Sequence, residues 1–151
     1  ASLAGCTTLD GDRSRPQSAL DPEGTAVYAQ EGLRLRGPDR PVRVGDRVEF
    51  VLTNTGSEAA FGCWADWTVQ RRDGEGEEWE ELVWTTPDSP QGCAKPLGPG
   101  ESHAVDLSFT PTGIEAASGA TVRGDLEPGR YRFVALGTEP PLAVRFRVVP
   151  E

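Results

Sequence analysis

Glycine and proline punctuate this chain so closely that no long helix can be written through it: 18 glycines and 13 prolines stand among 151 residues. Proline removes a helical donor and clashes with the preceding turn, and glycine carries a backbone-entropy cost in any regular element. The stretches between these breaks are short and alternate. Arg47 to Asn54 sets Val48, Phe50 and Leu52 on one face and Arg47, Glu49 and Thr53 on the other. Residues 103–109 turn Val105, Leu107 and Phe109 inward. Residues 63–71 share a side among Cys63, Ala65, Trp67 and Val69, and 79–84 return as the next strand after an Asp-Gly-Glu-Gly loop. Residues 130–136 and 142–149 form a closing hairpin, in which Leu142, Val144, Phe146 and Val148 alternate with Ala143, Arg145, Arg147 and Val149. Residues 27–30 and 33–36 supply a first strand or pair of strands, and a short helical turn fits 114–118. About seven to nine strands at near-regular spacing predict an all-β sandwich.

Charge removes several function classes. The formal net charge is −9, so the basic footprint that nucleic acid demands is missing, as is a polybasic membrane patch. Lys95 is the only lysine and the other basic residues are arginines. An acidic, lysine-poor surface is the halophilic pattern of salt-loving archaea, where carboxylates keep a protein soluble in brine; a GC-rich bacterial genome gives the same arginine bias. No apolar run approaches the roughly 18–20 residues that span a bilayer.

The chain opens Ala1-Ser2-Leu3-Ala4-Gly5-Cys6. Leu3-Ala4-Gly5-Cys6 resembles the lipobox of bacterial and archaeal lipoproteins, in which the signal peptide is cut before the cysteine and the thiol carries a lipid. The resemblance implies that residues 1–5 are the remnant of a signal peptide, trimmed of its charged and apolar regions. It also implies a lipid on Cys6, export, and residence at the outer face of the cytoplasmic membrane. Residues 6–23, rich in Asp, Ser, Pro, Gly and Arg, read as a disordered tether, and residues 24–151 as the folded domain.

Three motifs bear on the fold. Val51-Leu52-Thr53-Asn54-Thr55-Gly56 ends a strand in turn chemistry, where Asn and Gly tolerate a positive φ. Leu97-Gly98-Pro99-Gly100-Glu101-Ser102 is a turn feeding a strand. Leu126-Glu127-Pro128-Gly129-Arg130-Tyr131-Arg132-Phe133 places a tyrosine just after a turn, where its phenol can bond back to upstream backbone as a tyrosine corner. In order and spacing these motifs resemble a family of bacterial immunoglobulin-like domains of surface lipoproteins, over residues 42–149. More distantly the chain is similar to the domain named for an intracellular proteinase inhibitor of Bacillus. The resemblance implies an immunoglobulin-like Greek-key β-sandwich and brings no catalytic residues with it.

With Cys6 assigned to lipid, Cys63 and Cys93 form an even pair, most simply a disulfide. It would close a loop of about 30 residues, worth about 3–4 kcal/mol in the chain-entropy account. The alternatives are two free thiols or half a metal site, but zinc would want further Cys or His in spaced pairs. Trp64, Trp67, Trp79 and Trp84 suit core and cross-strand packing. Trp64 alone has the wrong parity for the core, so an exposed Trp64 beside Asp66 is a candidate contact, together with the proline-rich segment bearing Pro87 and Pro90. Asp66 there would favour a cationic or neutral polar partner.

No catalytic set emerges. His103 is the only histidine, no nucleophile elbow or phosphate loop occurs, and no metal or cofactor site is expected. The carboxylates of 10–12 and 73–78 lack EF-hand spacing and read as solvated loops. The expectation is a non-catalytic, lipid-anchored surface module that binds a protein or glycan partner or scaffolds the envelope. The alternative is a protease inhibitor presenting residues 86–97.

Overall fold

A computed structural model describes residues 26–64, 66–72, 79–84, 95–119, 121–122, 124–138 and 140–150. The chain is mostly β-sheet with one short helix. Its strands are β1 (Leu33–Arg36), β2 (Val42–Arg43), β3 (Arg47–Asn54), β4 (Ala60–Gly62), β5 (Trp67–Arg72), β6 (Glu80–Glu81), β7 (Val83–Trp84), β8 (Lys95–Leu97), β9 (Ser102–Ser108), β10 (Thr121–Val122), β11 (Gly129–Ala135) and β12 (Leu142–Val149), with helix α1 (Pro111–Ser118) between β9 and β10. The expected seven to nine strands become twelve among the described residues. The increase comes mainly from two- and three-residue strands outside the expected segments, β2, β4, β8 and β10, while 27–30 makes only isolated bridges; in addition the single strand expected over 79–84 divides at Leu82 into β6 and β7, which join different sheets.

Two sheets carry the structure. One has three strands in the order β1-β3-β9, the other five in the order β2-β12-β11-β5-β6. Only β2 and β12 run parallel within them. The pairs β10-β7 and β4-β8 are small antiparallel ribbons. Alternation decides what faces the interior. Val48, Phe50 and Leu52 of β3 are buried, as are Tyr131 and Phe133 of β11 and Phe146 and Val148 of β12. Phe50 stacks on Phe133 with ring centroids 4.1 Å apart and planes 9° apart, which joins the two sheets directly. Trp67 lies 5.3 Å from Phe133, and Phe109 meets Tyr131 edge-on at 5.6 Å. Burial of such rings, with the favourable geometry of aromatic pairs, supplies most of the driving force for joining the layers.

Helix α1 extends further than the expected turn, and its ends explain the length. Thr110 is the N-cap, its hydroxyl accepting from the Gly113 N–H at 2.9 Å, and Pro111 occupies the first turn, where no donor is lost. Gly119 closes it with a φ of 71°, its N–H bonding to the Glu115 carbonyl. Ile114 is the buried residue that docks it.

The sequence motifs act as pins. The Tyr131 hydroxyl donates to the Glu127 carbonyl at 2.5 Å across the turn before β11, as the tyrosine-corner reading expects. In Gly98-Pro99-Gly100-Glu101 the Glu101 N–H bonds to the Gly98 carbonyl at 2.9 Å and Gly100 takes a φ of 80°, the arrangement of a type II turn. Asn54 works differently from expectation. No residue other than glycine has a positive φ among the described residues, and Gly56 is not among the glycines that do. Instead the buried Asn54 amide donates to the Leu97 carbonyl at 2.7 Å and the Glu58 carbonyl at 2.8 Å, while its oxygen accepts from the Gly56 N–H at 2.8 Å. One side chain thereby ties the end of β3 to β8 and to the turn that follows. Asn54→Ala strands these backbone groups away from water, and urea unfolding should show a loss of about 2–4 kcal/mol. A loss below about 0.5 kcal/mol, the ordinary range for surface changes, would show that the pin is dispensable.

Candidate functional site

The surface expected from the sequence does not assemble as a binding site in the described residues. Trp64 is only partly exposed, because β5 begins at Trp67 and residue 64 belongs to a turn, so strand parity does not apply to it. Its indole N–H donates to the Lys95 carbonyl at 2.9 Å, and a β-carbon at Gly62 would come within 2.8 Å of its ring. Trp64 therefore covers backbone. Asp66 serves the same turn: its N–H bonds to the Cys63 carbonyl and its carbonyl accepts from Leu136, each at 2.9 Å. Cys63 is disulfide-bonded. Cys93, Pro87, Pro90, Cys6 and the acidic loops at 10–12 and 73–78 lie outside the described residues. His103 lines a hollow of about 10 Å³, too small for a ligand. Among the described residues no three of His, Cys, Asp and Glu are grouped to hold a metal, and no helix is long and apolar enough to cross a membrane.

A different surface does assemble, on the face of the five-stranded sheet turned away from the aromatic core. Antiparallel register puts Arg130 opposite both Arg72 of β5 and Arg147 of β12, and Arg132 opposite both Gln70 and Arg145. Side chains alternate faces along a strand, so the residues between them, Tyr131 and Phe146, point into the core while these four positions on β11 and β12 point out. Two transverse rows result, Arg72-Arg130-Arg147 and Gln70-Arg132-Arg145, on a chain whose formal net charge is −9.

Arg132 sits at the centre of this face and is 2% exposed. Its Nε donates to Gln70 Oε1 at 2.6 Å and its Nη1 to the Tyr28 hydroxyl at 2.9 Å. Among the described residues its Nη2 has no partner, and neither does the buried Nε of Arg72. The guanidinium carbons of Arg132 and Arg72 lie 4.5 and 4.7 Å from the centroid of Trp79, and that of Arg145 lies 4.1 Å from the Tyr28 ring. All three distances place cations where the ring quadrupole attracts them. Arg72, Trp79, Arg130, Arg145 and Arg147 line a cleft of about 350 Å³ on this face.

The electrostatics follow from the crowding. Burial pushes the Arg132 guanidinium down, and the charges of Arg145 and Arg72 add to that, against the hydrogen bond and charge of Tyr28. For Tyr28, burial acts upward, but hydrogen bonds from Arg145 and Arg132 and their positive charges outweigh it and leave the phenol below its ordinary value. A negative charge is favoured at this place.

The sequence reading assigned Trp79 to packing and left the arginines unremarked. The signal available was the repeated Arg-aromatic-Arg pattern of Arg130-Tyr131-Arg132 and Arg145-Phe146-Arg147. Pairing of the two strands, which brings those arginines together, was needed to give the pattern meaning.

No protein-family model matches the chain, and no curated protein matches it. Among solved structures it is similar to a β-glucosidase from Listeria innocua in complex with glucose, at 17% identity and a TM-score of 0.35, covering 77% of this chain and 16% of that one. It is also similar to a GH3 exo-β-xylosidase (XlnD) in complex with a xylobiose aziridine activity-based probe, at 17% identity and a TM-score of 0.30, covering 72% of this chain and 13% of that one. At these scores neither likeness carries an argument about function.

The Tyr28 environment is directly measurable. The chain has two tyrosines, and in a spectrophotometric titration Tyr28 should ionise first, below the ordinary value near 10, with that component lost in Tyr28→Phe. Because the folded-state value is depressed, the linked stability is present above the unfolded value and is lost as pH falls through the lowered one, so it is absent at neutral pH. A first ionisation above 10 would contradict the placement of Arg132 and Arg145 around the phenol.

Proposed function

We propose that this protein is a non-catalytic binding module, an immunoglobulin-like sandwich displayed at the outer face of the cytoplasmic membrane by a lipid on Cys6, and that its contact surface is the arginine face of the five-stranded sheet. The observation that carries the reading is the buried, incompletely partnered Arg132 set among outward arginines around a cleft. Fold stability alone does not call for such a group: a buried charge with an unmet donor is costly, and an apolar residue there would cost less. The tyrosine-corner bond of Tyr131 supports the immunoglobulin-like reading, and the Leu3-Ala4-Gly5-Cys6 string supports the anchor.

The test uses the full-length gene expressed in its host. Wild type should fractionate with membranes and capture an envelope component on cross-linking. Arg145→Glu with Arg147→Glu should remain in the membrane and lose the capture, since both side chains are exposed and neither belongs to the aromatic core. Cys6→Ser should leave the membrane fraction or stay unprocessed. Capture unchanged by the double charge reversal would overturn the assignment of the surface, and membrane residence unchanged in Cys6→Ser would overturn the anchor.

The disulfide of Cys63 is proposed to be with Cys93. Non-reducing peptide mapping should recover the two as one linked peptide, and a Cys63 peptide without Cys93 would refute the pairing. Replacing both should lower stability by about 2–4 kcal/mol without abolishing the fold, because the aromatic core is independent of the bridge.

A further inference from the structure

We infer that the arginine cleft binds one oxyanion group, a carboxylate, sulfate or phosphate, carried on a ligand of about monosaccharide size; this rests on the arginine face being the contact surface. The first argument is the donor inventory. A guanidinium offers five N–H donors and no acceptor. Of the Arg132 donors, Nε is spent on Gln70 and Nη1 on Tyr28, while Nη2 meets no partner among the described residues; Arg132 is buried beside the cleft and not part of its lining, so it lends the site positive charge and no direct contact. The buried Nε of Arg72, whose guanidinium also lies over the Trp79 ring, has no partner among the described residues either. Exposed Arg147, and Arg145 with the part of its fork not held by Tyr28, add donors from the neighbouring strand. A ligand that suits this lining must bring acceptors. A neutral sugar must also donate its hydroxyl protons, and among the described residues the cleft is lined by arginines and aromatic residues, with no carboxylate or side-chain amide to receive them.

The second argument is spacing. Adjacent strands lie about 4.8 Å apart and alternate residues along one strand about 6.8 Å apart. Arginines standing on such a grid can close on a single oxyanion from two sides, and each fork matches a carboxylate or phosphate in bidentate fashion. The aromatic contacts contribute by holding the guanidinium planes in place without using their N–H groups, so less freedom is lost on binding.

Size and field narrow the class further. A volume of about 350 Å³ falls at the low end of small-molecule sites, which run from about 300 to 1,000 Å³. A folded partner's surface would leave such a cleft underfilled. A long polyanion would extend beyond the arginines over the surface of a chain with net charge −9, and wherever it came within about 8–10 Å of surface carboxylates the repulsion would be only partly screened at physiological salt. A single anionic group on a compact body meets the arginines alone.

The test is calorimetric titration of the full chain with glucuronate, glucose 6-sulfate, glucose 6-phosphate, inorganic sulfate and glucose. The three acidic sugars should bind and glucose should not. Binding should weaken as sodium chloride is raised, and Arg145→Gln and Arg147→Gln should each weaken it roughly tenfold or more. Ranking among the acidic sugars identifies which oxyanion is preferred, and inorganic sulfate binding as tightly as glucose 6-sulfate would remove the sugar-sized body from the inference. Both variants replace exposed side chains, and unchanged thermal unfolding separates lost binding from lost fold. Binding of glucose equal to that of glucuronate, or no binding by any acidic probe, overturns the inference. Failure here with envelope capture through Arg145 and Arg147 intact discards the ligand class and keeps the surface, whereas loss of that capture as well discards both.

Discussion

The stack of Phe50 on Phe133, with centroids 4.1 Å apart, holds the two sheets in one relative position, and nearly everything else about the molecule is tied to it. Phe133 cannot leave this contact without moving β11 by a residue, and a one-residue slip would turn every side chain of the strand to the other face. Tyr131 would lose Phe109 and its bond to Glu127 together. The same register that drives Tyr131 and Phe133 into the core drives Arg130 and Arg132 out of it, and through the pairing with β5 and β12 it sets Arg72, Arg145 and Arg147 beside them. Core and arginine face are two sides of one constraint.

Where a strand is buried on one side only, the sequence was enough to find it. Arg47–Asn54 and Leu142–Val149 match β3 and β12 to the residue, because polar and apolar positions alternate cleanly along most of their length. β5 is different: Thr68 and Gln70 are as buried as Trp67 and Val69. Two-sided burial erases the alternation that parity arguments need, and it misplaced the strand start, which then misassigned Trp64. The division of 79–84 at Leu82 was also invisible, since a strand that changes sheets keeps its local pattern. Asn54 was noticed for its backbone tolerance, yet its contribution is three long- and short-range hydrogen bonds. The Leu97 partner lies 43 residues away, and one-dimensional reading does not see such a contact. The candidate site was least legible of all, because it exists only after three strands separated in sequence have been paired.

The way this face treats its arginines differs from the rest of the surface. Elsewhere the chain draws on its carboxylates: Arg47 meets Asp106 at 3.2 Å and Arg71 meets Glu80 at 3.7 Å. An exposed pair such as Arg47–Asp106 contributes little to stability, but such pairs do occupy the donors. On the outer face, among the described residues, Arg132, Arg72 and Arg145 are met by Trp79, Tyr28 and Gln70 instead. A ring stabilises a guanidinium through its quadrupole, from above the plane, and leaves the in-plane N–H groups unspent. An ion pair would consume those same groups.

This difference has a thermodynamic consequence. In a chain with 24 acidic residues, a carboxylate opposite Arg132 in place of Gln70 would be the simplest way to neutralise the buried charge. Gln70 accepts one hydrogen bond and returns no charge, so the positive potential survives at the centre of the face, and Tyr28 registers it as a lowered phenol. Among the described residues, Gln70, Tyr28 and Trp79 position the Arg132 guanidinium and bring no carboxylate to cancel its charge. A site arranged in that way retains its attraction for an external anion at the expense of the folded state's own stability, the usual direction of exchange between binding sites and cores.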